Sequence, residues 1–171
     1  MKMVKLLAII FAFLLMLSGA SFADDAKIGF LDLSKVFDQY EKTKQFDTVL
    51  QGKHNEFEKE RNAKLEKLRE VQGKMALLKE EEKSKTEEEM EKLRTEIMEF
   101  DRQNKTDLTK ERDEKIREIL LEIEKVVSDF AQKENYKMVL NDRVLIYGDK
   151  VLDITEPILK TLNENHSKTK K

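Results

Sequence analysis

The chain has no cysteine, no tryptophan, one proline (Pro157), two histidines (His54 and His166) and five scattered glycines in 171 residues. Without cysteine there is neither a disulfide framework nor thiol chemistry. With so few histidines, no nucleophile–base motif and no glycine-rich phosphate loop, this is poor material for an enzyme, and no cofactor or metal is expected. His54 has only Glu58 at ligand spacing on a helix, so it does not make a metal site. The missing prolines say most. Leu33 to Glu134 contains none and is dense in Glu, Lys, Leu and Arg. So charged a run cannot fold into a compact core; it forms extended helix.

A long apolar stretch occurs only at the start. Met1-Lys2-Met3-Val4-Lys5 is followed by apolar residues from Leu6 to Leu17 and then by Ser18-Gly19-Ala20-Ser21-Phe22-Ala23. A basic start, a short apolar run and a small-x-small ending are the parts of a secretory signal peptide, cleaved between Ala23 and Asp24. The run falls short of the roughly 20 residues a spanning helix needs. Removing residues 1–23 takes Lys2 and Lys5 with it, so the formal charge moves from −2 to −4. That near balance argues against nucleic acid, whose binders carry a clustered basic excess.

The apolar residues of the run recur at helical spacing: Phe46, Val49, Leu50, Phe57, Leu65, Leu68, Val71, Met75, Leu78. The last four follow the three-and-four alternation of a coiled-coil seam, which weakens near Arg61 and Lys64. Lys79 to Glu91 then has no apolar residue before Met90 and contains two capping boxes, Ser84-x-x-Glu87 and Thr86-x-x-Glu89. These boxes and the midpoint of the run both place the tip of a helical hairpin near residues 84–86. One continuous helix is the alternative, since neither glycine nor proline marks a break. The hairpin is preferred because it brings the strand-like segments at both ends together. Each arm then reaches about 75 Å at 1.5 Å per residue. The returning arm carries Met90, Leu93, Ile97 and Phe100, then Ile116, Ile119, Ile123, Val126 and Phe130, with a stutter at Asn104, Leu108 and Arg112. Such a stutter locally unwinds a coiled coil. The reading puts it opposite the weak zone at Arg61 and Lys64, giving both arms a poorly sealed mid-section.

Strand-like residues lie outside the arm. Ala26 to Leu33 reads as a strand, with Asp32 or Ser34 as a helix cap. Tyr136 to Leu140 reads as a strand, Asn141-Asp142-Arg143 as a turn and Val144 to Tyr147 as its hairpin partner. Asp153 to Pro157 opens a last short helix, and His166 to Lys171 reads as a frayed tail. The fold class is therefore α+β, mainly α. Residues 24–36 and 135–171 form a β-rich body, and residues 37–134 form the hairpin arm. A body this small is marginal alone, so copies are expected to share one core.

Two segments carry a resemblance. KIGFLDLSKVFDQYEKTK (27–44) is similar to the N-terminal motif of the Skp/OmpH family of periplasmic chaperones. Ala131 to Asn163 resembles that family's C-terminal motif, most clearly in Lys133-Glu134-Asn135-Tyr136 and in Asp153-Ile154-Thr155. The resemblance implies a homotrimer whose strands form a small β-barrel body, with Ile28, Phe30, Val139, Leu145 and Tyr147 as body residues. It also implies an ATP-independent holdase, located in the periplasm, that keeps unfolded outer-membrane β-barrel proteins soluble. Well-known members are strongly basic, whereas this mature chain is slightly acidic and residues 80–91 hold seven Glu against two Lys. No lipopolysaccharide or membrane contact is therefore carried over.

A holdase needs weak, distributed, adaptable contacts, for which unbranched methionine is suited. Met75, Leu77, Met98 and Phe100 are the candidate client contacts. Leu77 and Met98 lie beside the seam, whereas Leu78, Met90, Leu93 and Ile97 lie on it and glue the two arms together. The rival function is a coiled-coil scaffold that binds a folded partner; it requires a continuous seam and no affinity for unfolded chains. The leader reading has a direct check. Amino-terminal sequencing of the secreted protein should begin at Asp24, and a first residue of Met1 would overturn it.

Overall fold

The structure is a computed structural model that describes residues 26–75 and 77–169. The expectations on residues 1–23, and on Ala23 and Asp24 as the cleavage pair, lie outside the described residues. Strand β1 (Lys27–Leu31) leads into helix α1 (Leu33–Gln39), then α2 (Glu41–Met75) and α3 (Glu80–Lys133). Strand β2 (Tyr136–Asn141) and helix α4 (Thr155–Thr169) follow, with short 3₁₀ turns at Asp142–Val144 and Lys150–Leu152. The long antiparallel pair α2 and α3 is the arm, and the remaining elements gather at its open end.

The expected meeting of the two ends takes place. β1 pairs with β2 in parallel, Ile28 against Met138 through Leu31 against Asn141. Parallel neighbours need a long crossover, and here the crossover is the entire arm. Gly29 is required at this junction, because a Cβ there would fall 2.8 Å from the Tyr136 ring. That ring stacks on Phe130, centroids 6.0 Å apart, and carries Lys27 Nζ 4.1 Å above it.

The Lys133-Glu134-Asn135-Tyr136 segment ends α3 by a local conformational device. Asn135 has φ 59°, the left-handed conformation that asparagine tolerates better than most residues just past a helix end. The Asp153-Ile154-Thr155 segment ties α4 to β1. Ile154 N donates to Phe30 O at 2.9 Å, Thr155 Oγ1 accepts from Asp32 N at 2.9 Å, and Asp153 Oδ1 accepts from Thr155 N at 2.9 Å. Pro157 sits in the first turn of α4, where its missing N–H costs nothing. Asp32, rather than Ser34, caps α1, accepting from Lys35 N at 2.8 Å.

Four expectations are corrected. The tip is not at 84–86. The chain turns at 77–79, with Leu77 N donating to Lys74 O, and α3 begins at Glu80. Three glutamates, Glu80, Glu81 and Glu82, occupy its first turn, where negative charge meets the positive end of the helix dipole. Thr86 is inside the helix and back-bonds to Glu82 O. The midpoint argument failed because the arms are unequal: α2 has 35 residues and α3 has 54, its last turns running into the body.

The arm also begins later than residue 37. Tyr40 is extended (ψ 127°) and separates α1, which belongs to the body, from α2. Next, Val144 to Tyr147 does not form a hairpin with β2, whose partner is β1. Asn141-Asp142-Arg143 lacks the glycine that tight hairpin turns favour, and it winds into a 3₁₀ turn instead. Finally, His166 is not in a frayed tail, because α4 continues to Thr169.

Buried residues form two separate clusters. The body core joins Leu31, Val36, Tyr40, Ile119, Ile123 and Val126 to Ile154, Ile158, Leu159 and Leu162. A second cluster near the tip joins Val71, Met90 and Leu93, with Leu68 and Met75 packed against it. The placement of the tip yields a mutational prediction. At a helix start, Ser84→Ala and Thr86→Ala would each cost about 1 kcal/mol through a lost cap. Inside α3 they should leave the melting temperature unchanged or raise it slightly, as read by circular dichroism.

Candidate functional site: the arm and its root

At the root, three elements meet around Tyr40. Its hydroxyl donates to Glu122 Oε1 at 2.8 Å, and its ring makes an edge contact with His166, centroids 5.8 Å apart. Lys42 Nζ lies 2.6 Å from Glu122 and 2.9 Å from Glu118, and Lys115 reaches Glu118 at 2.6 Å. Asn163 Oδ1 accepts from Glu41 N at 3.0 Å, so α4 caps the first turn of α2 across the fold. His166 Nε2 is 3.1 Å from Gln45 Oε1. Hydrogen bonds from Lys115 and Lys42 hold the Glu118 carboxyl down at about 2. Burial pushes the Glu122 carboxyl up, but bonds from Lys42 and Tyr40 outweigh this and bring it below its ordinary value. The Tyr40 phenol is pushed up, first by burial and then by its bond to Glu122. Sequence reasoning missed this cluster. Its one local signal was the i,i+4 carboxylate pair Glu118 and Glu122.

Along the arm, the seam residues Met90, Leu93 and Ile97 are buried as expected. Leu78 stands in the turn, half-buried. The four candidate contact residues divide. Leu77, at the tip, is 89% exposed, and Met98, one residue from buried Ile97, is 62% exposed. Met75 packs on the distal cluster. Phe100 stacks on Phe57, centroids 5.5 Å apart, under Lys64 Nζ at 5.0 Å, so it also holds the hairpin together. Beside it, Arg61 pairs with Asp101 at 3.1 Å. The weak zone at Arg61 and Lys64 therefore faces Phe100 and Asp101. The stutter at Asn104 to Arg112 faces residues 47–60 instead, where open clefts separate the helices. Among the described residues, none between Thr43 and Val71 on α2, nor between Ile97 and Ile119 on α3, is fully buried. His54 lies in this stretch with its ring tilted against Phe57.

In the body, Phe30, Val139 and Leu145 are half-buried, whereas Ile28 and Tyr147 are exposed. They share that exposure with Met138, Val144, Ile146 and Val151, which sequence reasoning did not single out individually. An open groove of about 340 Å³ lies alongside, lined by Leu31, Leu33, Leu120, Val127, Val139 and Leu140. Several large apolar side chains of the body are thus left in water.

A small α/β body that joins the two segments flanking its arm by parallel strands and projects one long helical hairpin defines a narrow structural class. The fold is shared with a crystal structure from Caulobacter crescentus CB15 described as an OmpH-like outer membrane chaperone. The TM-score is 0.76, covering 82% of this chain and 85% of that one at 8% identity. The family model for OmpH-like outer membrane proteins matches residues 27–162, and the chain belongs to that family. Among curated proteins it is 29% identical over 143 residues to the chaperone protein Skp of Blochmanniella pennsylvanica, spanning 78% of this chain and 84% of that protein. It is 26% identical over 155 residues to Skp of Pectobacterium atrosepticum, spanning 86% and 92%.

The root cluster predicts an acid response. A carboxylate held below its ordinary value stabilises the fold above that value and loses its contribution as protons are added. The melting temperature should therefore fall as the pH drops from 4.5 towards 2. The fall should be shallower in a Glu118→Gln, Glu122→Gln variant. Equal slopes for the two proteins would mean that the cluster does not couple to folding.

Proposed function

We propose that this chain is an ATP-independent periplasmic holdase. It would act as a homotrimer, keeping unfolded outer-membrane β-barrel proteins soluble between its arms. The observation that carries the reading is the contrast on α3 between buried Ile97 and exposed Met98: the seam is satisfied, yet flexible apolar surface remains beside it. Exposed Leu77 adds to this surface at the tip. Contacts of this kind are individually weak and indifferent to sequence, as capture of a shapeless chain requires. The relatives named chaperone protein Skp support the same reading.

The body supports the assembly. Ile28, Met138, Val144, Ile146 and Tyr147 are exposed apolar side chains on a lone copy, and neighbouring copies would cover them. The scaffold alternative requires a continuous seam, and the stretch without a buried residue favours the holdase. Charged residues along both helices keep the arms soluble, and short-range apolar contact rather than long-range attraction retains the client.

The test is dilution of a urea-unfolded outer-membrane β-barrel protein into buffer containing residues 24–171, followed by sizing with light scattering. A soluble complex of three copies with one client is expected. A precipitated client beside a free trimer would move the function to scaffold, and a free monomer would overturn the assembly as well.

A further inference from the structure

The stretch of seam without buried residues opens a cleft of about 420 Å³ between α2 and α3, within the range of small-molecule sites. Leu50 and Leu108, both half-buried, supply its apolar lining, and Asp47, Gln51, Thr109 and Arg112 stand around them. Several charges nearby are paired: Lys53 with Glu111, Lys42 with Glu118 and Glu122, Lys110 with Glu114. Asp47 and Arg112 form no ion pair among the described residues, although they line the same cleft.

A carboxylate only accepts hydrogen bonds and a guanidinium only donates them. Two such groups, lining one cleft without pairing, suit an occupant that offers both a donor and an acceptor. A peptide backbone does so at every residue except proline. We propose that this mid-arm cleft holds one apolar side chain of an extended client segment. Leu50 and Leu108 contact that side chain, Asp47 accepts from a flanking backbone N–H, and Arg112 donates to a flanking C=O. The inference rests on the holdase reading and specifies the chemistry of its client. In an extended chain, successive side chains point to opposite sides, so one enters the cleft while its neighbours face water. Segments of alternating apolar and polar residues, as in membrane β-strands, fit this demand. The backbone contacts tolerate any sequence, and the leucines ask only for an apolar side chain.

The experiment places a benzophenone photocrosslinker at Gln51, with Met98 as a reference position and Glu114, on the outer side of α3, as a control. The full mature chain is loaded with an unfolded outer-membrane β-barrel protein and irradiated. Crosslinking to client at Gln51 should exceed that at Glu114. It should fall about fivefold when Asp47→Asn and Arg112→Gln are combined, a loss of two charge-assisted contacts diluted by the many others a client makes. Crosslinking at Met98 with none above control at Gln51, or a Gln51 yield indifferent to the double variant, overturns the inference and leaves the holdase standing. No crosslink at any position, with the client precipitated, overturns both.

Discussion

The parallel pairing of β1 with β2 is the constraint on which the other features depend. The two strands are separated by more than a hundred residues, yet they must lie one hydrogen-bond spacing apart. Whatever connects them has to leave the body and return to the same place. Two helices side by side meet that condition only if the outward and inward paths match in length. The excess length of α3 over α2 is resolved by docking its last turns, from Ile119 onward, into the body core. An insertion on one arm alone would shift Tyr40 against Glu122 and the tip cluster against its partners, so changes in arm length must come in matched pairs.

The arm is sealed at its ends and open in its middle, and this distribution suits a protein that must stay soluble while exposing apolar groups. Near the root, Ile119, Ile123 and Tyr40 are excluded from water; near the tip, Val71, Met90, Leu93 and Ile97 are. Between them the contacts include an aromatic stack and ion pairs at Arg61–Asp101 and Lys53–Glu111. Exposed ion pairs contribute only about 0–1 kcal/mol each. The middle is thus held by contacts that water competes for, while the ends keep the two helices in register.

Periodic features were legible in the sequence. The first strand, the cap at Asp32, the seam at Met90, Leu93 and Ile97, and the opening of the last helix all follow from local spacing. Exposed Met98 was legible for the same reason, since it stands one residue from a seam position. Phe100 and Met75 were misjudged as free surface because the opposite arm covers them: Phe57 stacks on Phe100, and Met75 packs on the cluster that Met90 and Leu93 bring from α3. The break at Tyr40 could not be seen, because the group that caps α2 is Asn163. The turn at 77–79 was misplaced by an assumption of equal arms, which ignored how much of α3 the body absorbs. Val144 to Tyr147 has the continuous apolar run of a strand, but within one chain β2 already has its partner, and no local window shows that the partner comes from the other end of the sequence.

The order in which the elements appear during synthesis has a kinetic consequence. Val71 meets Met90 and Leu93 across a short turn, so the tip cluster closes between near neighbours in sequence. β1 emerges first and must wait for nearly the whole chain before β2 exists. Local contacts form rapidly, whereas distant ones must first overcome a large loop-closure entropy. The arm should therefore zip from its tip towards its root, and its last turns deliver β2 to a strand that has stood unpaired since translation began. In such a protein the first strand made is the last to be paired.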